Sequence, residues 1–142
     1  MKDVFKFILN DLSDSQELAR KLAKLIKPKT FISLSGKLGV GKTTLVNYII
    51  NTISPKKIKV LSPTFSLVHI YDFKKIRIWH YDLYRINNKK EIFDLDYELA
   101  LTDCVIVEWP EIINDYLPDK RVDIIINEDK NFLRTATVKI LS

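Results

Sequence analysis

Gly36-Lys37-Leu38-Gly39-Val40-Gly41-Lys42-Thr43 is the stretch on which the reading of this chain turns. It fits the pattern G-x-x-x-x-G-K-[ST]. Glycines let the backbone curl through positive φ and turn successive N–H groups toward one concave point, the shape a phosphate needs. A helix starting at the loop adds its positive dipole end. The lysine and hydroxyl that close the pattern supply a cation for the β and γ phosphates and an oxygen for Mg²⁺. A chance match is expected in well under ~1% of chains of this length. The chain holds three glycines, and all three lie inside the loop, as Gly36, Gly39 and Gly41. Its other turns are written in Asn, Asp, Pro and Lys. The loop therefore predicts a P-loop for ATP or a close relative with Mg²⁺, contacted by residues 36–43 and by Thr44 behind them.

Working outward, Phe31-Ile32-Ser33-Leu34-Ser35 reads as a short buried strand leading into the loop, and 44–53 as a helix apolar on most sides. Further upstream, 4–9 has strand propensity. Ser13-Asp14-Ser15-Gln16 reads as a capping box with a hydroxyl N-cap, and Leu18, Leu22, Leu25 and Ile26 recur at helical spacing over 14–27, where Pro28 ends the helix. Downstream, 58–61 reads as a short strand that Ser62-Pro63-Thr64 breaks. Residues 65–73 and 76–81 alternate around Lys74-Lys75 as two strands of a hairpin or meander. A polar turn begins at Asn87, and a short helix is expected over 91–101. Residues 104–107 form a buried strand ending at Glu108. Two late strands, 122–126 and 136–141, read as antiparallel around the turn 127–131.

A P-loop needs an acid to complete Mg²⁺ coordination and polarise water, usually at the end of an apolar strand beside the loop's own. Two acids fit, Glu108 after Cys104-Val105-Ile106-Val107 and Asp82 after Ile76-Arg77-Ile78-Trp79-His80-Tyr81. Thr64 lies in a loop whose hydroxyl either senses the γ-phosphate or closes a simple ST-turn. His80 is either a general base or an ordinary strand-end histidine.

Length and composition narrow the classes. The 142 residues fit one domain and bury enough surface to fold without staples. Hydrophobic residues make up 46% and charged residues 29%, a globular balance. One cysteine, Cys104, excludes an internal disulfide and reads as a buried small hydrophobe. No cysteine or histidine cluster suggests zinc. The N-terminus lacks the apolar core of a signal peptide, and no apolar run nears the ~20 residues that span a bilayer, so a cytoplasmic protein without a membrane partner is expected. The net charge of +5 is carried by lysines in pairs (Lys56-Lys57, Lys74-Lys75, Lys89-Lys90), which suit a solvated surface better than a dedicated nucleic-acid patch.

Four blocks in this order resemble the TsaE (YjeE) family: 34–44 around the P-loop, Ser62-Pro63-Thr64-Phe65-Ser66-Leu67-Val68, His80-Tyr81-Asp82-Leu83-Tyr84-Arg85, and Val107-Glu108-Trp109-Pro110-Glu111. The last three are weak alone and specific together, and the likeness spans about residues 13–118. The family is the ATPase subunit of the bacterial machinery that installs threonylcarbamoyl on the adenosine beside the tRNA anticodon. The resemblance implies that Lys42 and the loop amides bind phosphates and that Thr43 and Glu108 contact Mg²⁺. It further implies that Asp82 orders water or metal, that Thr64 is the switch, and that Ser15 and Trp109 flank the nucleotide. It implies an α/β fold class, a small P-loop NTPase-like domain over 1–142 with a mixed parallel and antiparallel sheet flanked by helices. The residue after the first loop glycine is commonly acidic in the family and is Lys37 here.

The function expected from this resemblance is Mg²⁺-dependent ATP binding and hydrolysis that resets a TsaB–TsaD assembly, with ADP as product and tRNA reached through the partners. Two other functions compete. A small nucleotide or metabolite kinase would pair the P-loop with an arginine-rich lid, but only 34 residues follow Glu108. A nucleotide-gated binding module with negligible turnover is the non-enzymatic reading.

Overall fold

Strand β2 (Phe31–Ser35) lies at the centre of a seven-stranded sheet in a computed structural model that describes residues 2–142. In chain order the elements are β1 (Lys2–Leu9), α1 (Leu12–Ala23), β2, α2 (Lys42–Ile53), β3 (Val68–Asp72) and β4 (Arg77–Asp82). A 3-10 segment (Lys89–Leu95) and the short α3 (Tyr97–Ala100) follow, then β5 (Cys104–Glu108), a second 3-10 segment (Pro110–Tyr116), β6 (Arg121–Glu128) and β7 (Arg134–Leu141). The strand order is β1-β7-β6-β2-β5-β4-β3. Strands β6, β2, β5 and β4 run parallel, while β3 on one side and β7 and β1 on the other pair antiparallel. This is the mixed α/β sheet expected from the sequence. Among the described residues, no helix is long and apolar enough to cross a membrane.

Side-chain alternation decides what each strand presents to either face. Ile32 and Leu34 of β2, Ile78 of β4, and Cys104 and Ile106 of β5 join one buried cluster with Leu18, Ala19 and Leu22 of α1 and Leu45, Val46, Ile49 and Ile50 of α2. The intervening residues Phe31, Trp79, Tyr81, Val105 and Val107 form a second cluster with Ile92, Tyr97 and Ile113 on the opposite face. Edge-to-face contacts of Tyr97 with Phe31 and Tyr81 fix that aromatic layer. Parity thus turns His80, Asp82 and Glu108 toward the α2 face. Register places Asp82 opposite Glu108, and Glu108 opposite Leu34. The parallel strands all end at one edge of the sheet, where open α/β sheets place their ligand crevice.

Several elements differ from the sequence expectation for local reasons. The N-cap of α1 is Asp11, not Ser13: its carboxylate accepts from the Asp14 amide at 3.0 Å, and the Asp14 carboxylate accepts from the Asp11 amide at 3.3 Å. Ser13 donates to Asp11 at 2.7 Å, which holds the Asp11 carboxyl below its ordinary range. The helix ends at Ala23, short of Pro28. Residues 58–61 are not a strand, because the Asn51 side chain takes both backbone groups of Ile58. Strand β3 begins at Val68, not 65. The helix expected over 91–101 is split by Asp96, whose φ of 57° breaks the helical run. The turn between β6 and β7 is shifted two residues on, to 129–133, where the Asp129 carboxylate accepts from the Asn131 and Leu133 amides. Cys104 is buried as expected, and burial pushes its thiol up to about 12. The paired lysines at 56–57 and 74–75 are exposed in loops, whereas Lys89 and Lys90, also exposed, open the first 3-10 segment.

Candidate functional site

The loop between β2 and α2 uses all three glycines at positive φ: Gly36 at 149°, Gly39 at 76° and Gly41 at 107°. Gly36 also has no room for a side chain, since a Cβ there would sit 2.7 Å from the Ile126 carbonyl oxygen and 2.8 Å from Val40 Cγ1. Gly41 occupies the N-cap of α2, and no side chain among the described residues caps the start of that helix. The first intrahelical bond is from the Leu45 amide to the Gly41 carbonyl. The amides of 42–44 are therefore without intrahelical acceptors and point out of the helix end. Helix α1, by contrast, closes its own start with Asp11 and Asp14. Of the two principal helices, α2 is the one whose N-terminus is left open to an anion.

Lys42 is 5% exposed and folds back over the loop. Its ammonium donates to the carbonyls of Gly36 and, at 3.0 Å, Lys37. The Trp109 ring lies 4.1 Å away on its other side, a cation–π contact. Burial holds the Lys42 pKa below that of an ordinary lysine, against the opposing pull of the Glu108, Asp82 and Glu111 charges. Trp109 reaches this position because its own backbone is left-handed, with φ of 61°, and its ring also packs on Tyr84.

Glu108 ends β5 with its side chain 3% exposed. The Thr43 hydroxyl donates at 3.1 Å to both carboxylate oxygens, and His80 Nε2 lies 2.7 Å from Oε2. Asp82 is 4% exposed. Its Oδ2 accepts from the hydroxyls of Ser62 at 3.1 Å and Thr64 at 3.2 Å, and its Oδ1 accepts from the Tyr84 amide. The switch-like loop is thereby tied to the end of β4. A cavity of about 240 Å³ is lined by Leu38, Gly39, Gly41, Lys42, Thr43, Thr44, Ser62, Thr64, Asp82, Glu108 and Trp109. Of the residues singled out from the sequence, Leu38, Gly39, Gly41 to Thr44, Thr64, Asp82, Glu108 and Trp109 meet there, while Gly36 and Lys37 do not line it.

Ser15 and Val40 lie elsewhere. They line a second cavity of about 440 Å³, with Asp11, Leu12, Phe132 and Arg134, across the start of α2. Gly41 and Thr44 border both cavities. Ser15 and Trp109 therefore line different cavities, both bordered by the loop. Lys37 contributes its carbonyl, and its side chain is exposed.

Three residues of the site were not assigned from the sequence. His80 looked as much like an ordinary strand histidine as a functional one, and its bond to Glu108 follows only from the β4–β5 pairing. Ser62 differs from Thr64 in nothing local, yet both hydroxyls hold Asp82. Arg134 donates to the Gly39 carbonyl at 3.3 Å from 95 positions away, and nothing near it in the chain signals this.

The donor set fits a small hard cation. Thr43 and Glu108 offer oxygens only, and Mg²⁺ is usually held by one or two carboxylates with substrate phosphates and water. Among the described residues no group of three or more His, Cys, Asp or Glu side chains is placed to hold a metal by itself.

Comparison with known proteins identifies the family. The family model described as threonylcarbamoyl adenosine biosynthesis protein TsaE matches residues 9–136. The tRNA threonylcarbamoyladenosine biosynthesis protein TsaE of Rickettsia felis is 34% identical over 92% of this chain and 78% of its own length. Its namesakes from Aquifex aeolicus and Bacillus subtilis are 37% and 31% identical, over 84% and 80% of this chain and 82% and 71% of their own. The crystal structure of YdiB from Bacillus subtilis superposes with a TM-score of 0.79 at 25% identity, covering 100% of this chain and 88% of the other. With the family model covering most of the chain and these relatives above 30% identity, the chain belongs to the TsaE family of threonylcarbamoyl adenosine biosynthesis proteins.

Proposed function

We propose that this chain binds ATP and ADP with Mg²⁺ in the Gly36–Thr43 loop and hydrolyses ATP. It would do so as the ATPase subunit of tRNA threonylcarbamoyladenosine synthesis, resetting a TsaB–TsaD assembly between modification cycles. The observation that carries the reading is the Thr43–Glu108 pair at the mouth of the uncapped helix α2. Anion-binding amides, a buried cation and a hydroxyl–carboxylate pair meet within one cavity, the set that phosphoryl transfer requires.

The roles follow from position. The amides of 41–44 and the Lys42 ammonium receive the phosphates, with Lys42 exchanging the Gly36 and Lys37 carbonyls for phosphate oxygens. Thr43 and Glu108 hold Mg²⁺, which neutralises charge on the phosphates when bound. Asp82, with Thr64 and Ser62 on one of its oxygens, orients water and couples the 62–67 loop to the state of the γ-phosphate. The cavity bounded by Ser15, Thr44 and Arg134 takes the nucleoside end. The tRNA is reached through the partner subunits.

Calorimetric titration of Mg²⁺·ADP into the parent protein and Lys42→Ala tests the core of this reading. Loss of a charged donor to phosphate is worth about 1.5–3 kcal/mol. At 1.4 kcal/mol per decade, binding weakens by about 10- to 100-fold. Equal affinity in the two proteins would sink the reading.

A further inference from the structure

We propose that His80 is a positioning residue for Glu108, holding one carboxylate oxygen so that the other is left for the metal side of the site. This rests on the nucleotide reading given above.

His80 has no exposed surface. Its Nε2 lies 2.7 Å from Glu108 Oε2. A carboxylate only accepts, so Nε2 carries the proton and donates. The other ring nitrogen, Nδ1, is buried and has no hydrogen-bond partner among the described residues. An apolar side chain would fill this place on the sheet without leaving a buried nitrogen unpaired, as Ile78 and Ile106 do beside it. Among the described residues, the only contact that uses the polarity of the ring is the one to Glu108.

That contact makes the two carboxylate oxygens inequivalent. Oε2 is taken by His80 and shares the Thr43 hydroxyl, whereas among the described residues Oε1 bonds to Thr43 alone. The carboxylate is held at Oε2 by a ring that is itself fully buried on β4. His80 stands diagonally across β4 and β5 from Glu108, a spacing that the alternation and register of the two strands impose. The Thr43 hydroxyl spends only its proton on Glu108 and keeps its lone pairs for a cation, while His80 keeps the carboxylate aimed. Partners that orient a metal-binding side chain in this way typically change metal affinity by about 10- to 100-fold when removed.

The test separates metal affinity from nucleotide affinity. Mn²⁺ binding to the ADP complex is followed by electron paramagnetic resonance, and ADP binding without metal by calorimetry. The proteins are the parent chain, His80→Leu, which removes the donor, and His80→Gln, whose amide nitrogen reaches the Nε2 position. The expected result is Mn²⁺ affinity lowered about 10- to 100-fold in H80L, metal-free ADP affinity within about twofold of the parent, and recovery of Mn²⁺ affinity in H80Q. Parent-like Mn²⁺ affinity in H80L overturns the proposal while leaving the nucleotide reading intact. Failure of the parent itself to bind Mn²⁺ with ADP overturns both.

A second measurement needs no variant at position 80. The chain has two histidines, so long-range ¹H–¹⁵N spectra, assigned with His69→Gln, resolve the His80 ring. A protonated Nε2 whose resonance moves on adding Mg²⁺ to the ADP complex supports the proposal. An Nδ1-protonated ring, or a resonance indifferent to Mg²⁺, overturns it even if H80L fails to fold.

Discussion

Glu108→Gln removes the negative charge at the end of β5 while keeping the shape of the side chain, and its consequences can be worked out from the contacts. In the parent the carboxylate accepts from Thr43 and His80. A glutamine can turn its oxygen to His80 Nε2 and its amide to the Thr43 oxygen, so no buried group loses its partner. Bonds to a charged acceptor are worth about 1.5–3 kcal/mol and neutral ones about 0.5–1.5 kcal/mol. The weaker bonds are offset by the smaller penalty for burying an uncharged amide. Folding stability should therefore change by only about 1 kcal/mol, a shift in Tm of a few degrees at this chain length. Hydrolysis should respond far more. If Glu108 holds the metal and polarises water, single-turnover phosphate release should fall by about 10²–10⁴, the usual range for loss of a positioned acid–base group. That corresponds to about 2.7–5.5 kcal/mol of barrier. The assay is rapid-quench phosphate release from ATP with Mg²⁺ in the presence of TsaB–TsaD, paired with metal-free ATP affinity, which should be unchanged. A folded Glu108→Gln protein that releases phosphate within threefold of the parent rate would refute the reasoning.

Other substitutions test the loop and the core. Gly36→Ala forces a Cβ against the Ile126 carbonyl and Val40 at a φ that side chains rarely adopt, so a loss of about 2–5 kcal/mol is expected in urea unfolding. A loss below about 0.5 kcal/mol would show that the loop yields instead. Burial raises the Cys104 thiol to about 12 from an ordinary 9.0, so the folded state holds its proton where the unfolded chain has lost it. Stability should then fall as pH rises from 9 toward 12, by about 1.4 kcal/mol per pH unit from this group. Unfolding of the parent and Cys104→Ala between pH 9 and 10 isolates the contribution, because Lys42 and the tyrosines titrate alike in both. Equal slopes would contradict a buried thiol.

The parts of the site that the sequence made legible are those whose geometry is local. The loop is written in eight consecutive residues, and each of its glycines takes the positive φ that the pattern demands. Asp82 and Glu108 could be picked out because each ends an apolar strand, and parallel pairing sets them side by side. What stayed hidden depends on distant partners or on competition for the same backbone. Residues 58–61 have the apolar pattern of a strand, but Asn51 captures the backbone of Ile58. Ser13 and Asp11 are both sound caps by type, and only the reciprocal bond with Asp14 chooses between them. The bond between His80 and Glu108 requires knowing that β4 lies beside β5. The contact from Arg134 to Gly39 requires knowing where the β6–β7 hairpin meets the loop.

Phosphate release from ATP with Mg²⁺, measured for this chain alone and again with TsaB–TsaD, tests the proposed ATPase most directly. Low release by the chain alone that rises severalfold or more with the partners is the expected result. Partners that neither bind nor change the rate would contradict it, and transfer of the phosphate to an acceptor instead of its release would point to a kinase.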